Sequence, residues 1–175
     1  MTRISLRNAK LRNLVVLYKI YFNALRGNTK NWTRIQLDMP QATPKLTLQR
    51  VLMVHAIHIL YARLYAVART GSVLALFQTR WDPLILEVLA KDHLIGCIFL
   101  ARQSATVFQI DVIASIEPKQ EKWTLCEVFW VLKQYVKKLG IKRIIIRSIE
   151  EDIKQALKQC GFESAYYDSV LFIHI

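Results

Sequence analysis

The chain has 175 residues, 53% of them apolar and 22% charged, and carries a net charge of +12. That is the length of one domain with a core of its own, and the composition excludes a disordered chain. Cys97, Cys126 and Cys160 are odd in number, scattered, and form no C-x-x-C pair. This argues against a disulfide framework or a zinc site, and for a reducing, cytoplasmic compartment.

The charge is unevenly placed. Residues 1–80 hold 13 Lys or Arg and a single acid, Asp38, whereas residues 81–175 hold 12 of each sign. An anionic partner is expected for the first half, either an acidic protein or a peripheral anionic membrane surface. The plain alternative is a solvated basic surface. Nucleic acid ranks behind these, because no helix-turn-helix pattern is present and the basic residues are spread over apolar helices. Residues 1–7 lack the apolar core and cleavage site of a secretory signal. The basic bias continues to residue 80, too far for a transit peptide.

Residues 5–26 read as a basic amphipathic helix. Leu11, Leu14, Val15, Tyr18, Phe22 and Leu25 share one face, and Arg12, Lys19 and Arg26 repeat along its flank. Such a helix either packs on the protein's own core or meets an anionic partner through those three cations. Residues 27–44 form a connector broken by Asn28, Asn31, Pro40 and Pro44, within which residues 32–37 alternate as one short strand.

Residues 46–69 are apolar nearly all round and about the length of a bilayer span, but His55, His58 and Arg63 interrupt them. A central Arg costs several kcal/mol in lipid, so a core helix, or one half sunk in a membrane interface, is expected instead of a span. His55 and His58 share a face. With no third ligand in the spacing, they read as polar residues on the exposed edge of a core helix rather than a metal site.

After the break at Gly71, residues 72–79 form an apolar strand or short helix. Three strands are then expected at 84–89, 94–101 and 107–116. Turns at 91–93 and 102–104 make an antiparallel meander. A helix at 125–139, a strand at 141–148, a short helix at 151–159 and Gly161-Phe162 opening a last strand complete the chain. No repeats occur.

The order strand, long helix, strand, short helix, Gly161-Phe162 resembles the C-terminal half of the GCN5-related N-acetyltransferase (GNAT) superfamily. Gly96 matches a glycine such proteins often carry on their third strand. The resemblance covers residues 84–175, with looser agreement from Trp32. It implies an α+β fold with a mixed, mostly antiparallel sheet flanked by helices. Residues 32–175 would form that domain, and 1–31 an added N-terminal helix.

It also implies an acyltransferase of the N-acyltransferase type, in which the loop before the long helix and that helix's first turn hold the pyrophosphate of acetyl-CoA. That loop maps to residues 120–125. Gln120 suits its first position, and Lys119, Lys122 and Thr124 can meet an anion. Trp123 and Leu125, however, stand where the family has glycines, and Glu121 adds a negative charge. At the position of the Tyr that protonates the departing thiolate stands Leu157, with Tyr166 and Tyr167 as the substitutes at hand. Asp111 and Glu117 are the carboxylates placed to act as base for an amine. The expectation is an atypical member. Either its donor is something other than acetyl-CoA, such as an acyl carrier protein thioester, or it is a non-catalytic docking module.

Overall fold

The computed structural model describes residues 4–26, 34–36, 47–115, 125–147, 151–165 and 170–175. Strand β1 (Ile4–Asn8), helix α1 (Leu14–Arg26), short strand β2 (Arg34–Gln36) and helix α2 (Leu48–Thr70) come first. They are followed by β3 (Leu84–Ala90), β4 (His93–Ser104), β5 (Val107–Ser115), α3 (Leu125–Lys137), β6 (Arg143–Arg147), α4 (Glu151–Gln159), β7 (Glu163–Ser164) and β8 (Val170–His174). The strands run in the order β1-β3-β4-β5-β6-β8-β7, with β2 off this path and paired to β5. Pairing is antiparallel except for β5 with β6 and β2 with β5. This is the expected α+β class, and an N-terminal helix is present.

The helix expected from residue 5 starts later. Ile4–Asn8 is an edge strand, antiparallel to β3, and Ile4 faces the core. Period-two alternation of Ile4 and Leu6 with Ser5 and Arg7 decides this segment. The first strand of the sheet is therefore β1. Residues 34–36 do form a strand, but one that joins the middle of the sheet.

Both faces of the sheet are covered. On one face α3 and α4 bring Val128, Phe129, Leu132, Val136 and Leu157 against Ile98, Leu100, Ile110, Ile144 and Ile146. On the other, α1 brings Leu14, Leu17, Tyr18 and Ile20 against Ile85, Cys97, Phe99, Val112 and Ala114. The apolar stripe of α1 thus packs on the protein's own sheet. Burial on two sides explains why β3 and β4 read as nearly unbroken apolar runs.

Among the described residues Glu87 on β3 is the one fully buried acid, and it anchors the N-terminal segment. It accepts from Arg7 Nε at 2.7 Å, the Lys10 backbone N–H at 2.8 Å and Asn13 Nδ2 at 2.8 Å. Burial alone would raise its pKa. These hydrogen bonds and the Arg7 charge outweigh that and hold it below the ordinary carboxylate range.

The β3–β4 turn is Lys91-Asp92, both at positive φ (47° and 68°), the backbone that suits a two-residue hairpin between twisted strands. The second turn falls at residues 105–106, later than expected. Arg102 stays in the strand, donating to the Ala105 carbonyl at 2.7 Å and lying 4.8 Å from the Phe108 ring centre. A long side chain can cover a sheet edge as well as mark a turn. At the exit of α4, Gly161 has φ +89°, and the Phe162 N–H closes on the Leu157 carbonyl at 3.0 Å. Phe162 then stacks edge-on to Phe129.

One expectation from the cysteines is overturned. Cys126 and Cys160 form a disulfide, with Cα atoms 4.8 Å apart. It ties the first turn of α3 to the end of α4. The fold brings together two cysteines 34 residues apart, which spacing alone could not show. Cys97 is free and buried.

Candidate active site

Strands β5 and β6 pair in parallel only from Val107 with Arg143 to Ile110 with Ile146. Immediately beyond, β5 carries a bulge. Against β4, Leu100 faces Ile110 and Phe99 faces Val112, so Asp111 is the extra residue. Bulges re-aim side chains and end pairing, and here both happen at one residue. Past the bulge, the edge of β5 is taken by β2, which pairs with Val112, Ile113 and Ala114.

The bulge sets Asp111 on the face opposite Ile110, the side covered by α1. Gln109, two residues earlier and buried, donates Nε2 to Asp111 Oδ1 at 3.0 Å. Burial pushes the Asp111 carboxyl up to about 6, against the pull of this hydrogen bond and of the Arg147 guanidinium at the end of β6. The group therefore changes charge close to neutral pH.

Aromatic side chains from α1 wall the site. Tyr21 packs on Phe99 with ring centres 4.6 Å apart. Its own pKa is raised to about 12, first by burial and then by the Asp111 charge. Next to it the fully buried Tyr18 holds two histidines of α2, its Oη lying 2.8 Å from His55 Nδ1 and 3.3 Å from His58 Nδ1. A phenol has one proton to give, so one imidazole accepts it and the other donates its Nδ1–H to the oxygen. Burial lowers both histidine pKa values, with Asp82 opposing the fall at His55 and His55 adding to it at His58. His58 in turn lies against Tyr21, with ring centres 5.5 Å apart.

His55 and His58 are thus turned inward onto α1, contrary to their expected place on an exposed edge. Among the described residues no group of three His, Cys, Asp or Glu could hold a metal. The two pairs Tyr18/Tyr21 and His55/His58, each three apart on its helix, were the sequence signal for this cluster.

Of the expected site residues, Asp111 stands in the site. Arg12 is exposed and Lys19 half-buried on the outside of α1. The side chain of Arg26 lies outside the described residues, as do Glu117, Lys119, Gln120, Glu121, Lys122, Trp123, Thr124, Tyr166 and Tyr167. Leu125, expected at a glycine position of the loop, opens α3 and packs against the core. Leu157 is fully buried. Tyr18, Tyr21, Gln109 and Arg147 are additions that the structure makes.

No protein-family model and no curated protein matches the sequence. Solved structures do match in fold. Spermidine N-acetyltransferase from Vibrio cholerae, in complex with CoA and spermine, superposes with a TM-score of 0.60 at 14% identity, over 98% of this chain and 95% of that one. An acetyltransferase from Salmonella typhimurium that modifies the N-terminal serine of a 50S ribosomal subunit protein gives 0.58 at 11% identity, over 100% and 96%. The aminoglycoside acetyltransferase AAC(6')-Ib, in complex with coenzyme A, gives 0.57 at 15% identity, over 98% and 95%. This chain has the GNAT fold. The matches cover 98 to 100% of this chain. Identities this low carry the fold and nothing finer.

Proposed function

We propose that this GNAT-fold protein is an N-acyltransferase in which Asp111 is the base that frees the acceptor amine, and whose acyl donor is a thioester other than acetyl-CoA. The observation that carries this is Asp111 itself. It is a carboxyl titrating near 6 at a bulge, where two central strands part, with Tyr21 beside it. A base poised near working pH is what removal of a proton from an ammonium group requires.

The step follows directly. The Asp111 carboxylate takes a proton from the acceptor ammonium, and the amine nitrogen attacks the thioester carbonyl carbon. A C–N bond forms, and as the tetrahedral intermediate collapses the C–S bond breaks while the second proton on nitrogen passes to water or to the departing sulfur. The leaving thiolate belongs to a thiol of pKa about 8.5, so it can depart without a general acid. That suits a site where Leu157 is buried in the core.

Two features favour a donor other than acetyl-CoA. Leu125, which the resemblance sets at a glycine position, is half-buried against the core, and the next residue, Cys126, is fixed by the disulfide. Residues 1–80 carry the whole excess of positive charge, which suits an acidic carrier protein bearing the acyl thioester. Transfer assays with acetyl-CoA and with an acyl carrier protein thioester, over a panel of amines, test this. Acylation from the carrier alone is expected. Efficient turnover with acetyl-CoA would overturn the donor assignment and leave the Asp111 assignment standing.

A further inference from the structure

The helix α2 is laid on the molecule and not buried in it. Only Val51 and Ala66 of its 23 residues are buried. The inward edge is tied down by His55 and His58 on Tyr18. One flank is held by Arg63, whose Nε and Nη2 bond Asp82 at 2.6 and 2.9 Å, and whose Nη1 bonds the Leu76 carbonyl at 3.1 Å. Opposite the inward edge, Ile57, Leu60, Tyr61 and Leu64 stand in water, Tyr61 at 73% exposure. The 3-10 turn Val73–Phe77, packed beside the second half of the helix through Ala66, Ala75 and Trp81, adds exposed Leu74 and Phe77. Exposed apolar side chains gathered on one helix face and the turn beside it mark an interaction site.

The charge around it selects the partner. From residue 48 to 81 there are four arginines and no acid. The first acid after them, Asp82, is already paired with Arg63. Arg50 at the start of the helix, Arg69 at its end and Arg80 beyond the turn are exposed, form no ion pair among the described residues, and frame the apolar surface with positive charge. We infer that α2 and the turn after it form an interfacial membrane-docking surface, specific for anionic lipid. The apolar stripe enters the headgroup–acyl boundary, and the arginines meet acidic headgroups. This helix is, among the described residues, the one long and apolar enough to span a bilayer. Its anchoring along one side, through His55, His58 and Arg63, fits a helix lying in the interface. A second copy of this chain would set arginine against arginine across the contact, which disfavours a dimer here.

Flotation of the full chain with vesicles tests this. One set is phosphatidylcholine alone, the other contains about one third phosphatidylglycerol. Partitioning to the anionic vesicles is expected, with little to the neutral ones. Leu60→Glu should cut it at least about tenfold, since a charge then enters the apolar boundary. Arg50→Glu with Arg69→Glu should remove the preference for anionic lipid. All three substitutions are at exposed positions, and circular dichroism checks that each variant is folded. Absence of binding to anionic vesicles would overturn the assignment. So would a dimer, seen by light scattering, that Leu60→Glu dissociates. Neither result touches the acyl-transfer reading, which is measured without membranes.

Discussion

Gln109 Nε2 donates to Asp111 Oδ1 across 3.0 Å of a single strand. Residues two apart on a strand point the same way. Asp111 sits where β5 leaves β6, and its carboxylate orientation is fixed by a buried amide. Substitution at either member of this pair has a measurable consequence.

Asp111→Asn should abolish acyl transfer and stabilise the fold. The folded-state pKa is raised from 3.8 to about 6, so the folded protein binds this proton more tightly than the unfolded chain. Stability is therefore lost as pH rises from about 4 to 6, and the cost persists above. An uncharged isostere removes a cost of about 1–3 kcal/mol at pH 8. Thermal unfolding of the two proteins at pH 8 checks this, and an unchanged or lower melting temperature would contradict it.

Gln109→Leu removes a donor that favours the charged carboxylate, so the Asp111 pKa should rise further. The acidic limb of the activity profile should move to higher pH, with the plateau rate largely kept. Nuclear magnetic resonance titration of the carboxyl, in wild type and variant, gives the same comparison without substrate. A limb that stays in place or moves to lower pH counts against the assignment.

Removing the charge at Glu87 should be severe. Glu87→Ala leaves Arg7, the Lys10 N–H and Asn13 without their shared acceptor, at a cost of about 3–5 kcal/mol. In the wild type the folded pKa is depressed, so the stabilisation is full above the unfolded value of about 4.5 and is lost as pH falls from there through the lower folded value. Denaturant midpoints measured from pH 7 to pH 3 should draw closer for the two proteins at the acid end, without meeting, because the orphaned donors remain in the variant.

The disulfide closes a loop between residues 34 apart, worth about 3–4 kcal/mol on chain-entropy grounds. Reduction, or Cys126→Ser, should lower the melting temperature by roughly 10 °C. No change on reduction would mean that the bond does not constrain the unfolded chain.

Much of the fold was legible because the local signals agree. The α4 helix at 151–159, the start of α3 at Leu125 and the three-strand meander follow directly from periodicity and turn residues. The N-terminus was not, because an apolar stripe shared by Leu14 and Tyr18 extends in register back to Leu11, masking the switch from period two to period 3.6 between Asn8 and Leu14. The site was half legible. Asp111 stands out as a carboxylate in an apolar strand, but nothing local says that it is the bulge residue, since a bulge is defined by the partner strand. Tyr18 and His55 read as an aromatic in a core stripe and a polar interruption. Only the docking of α2 on α1 makes them one hydrogen-bonded unit. The pairing of Cys126 with Cys160 has the same origin, as helix packing brings the two together.

The most direct test of the central claim is the pH dependence of acyl transfer from a carrier-protein thioester to an amine, followed by release of the free thiol. The account predicts a rate that climbs through about pH 6, the pKa of Asp111, and loss of both the rate and the climb in Asp111→Asn. A variant that keeps the wild-type rate and profile would show that Asp111 is not the base, and absence of transfer from any thioester would show that the fold is not used for acyl chemistry.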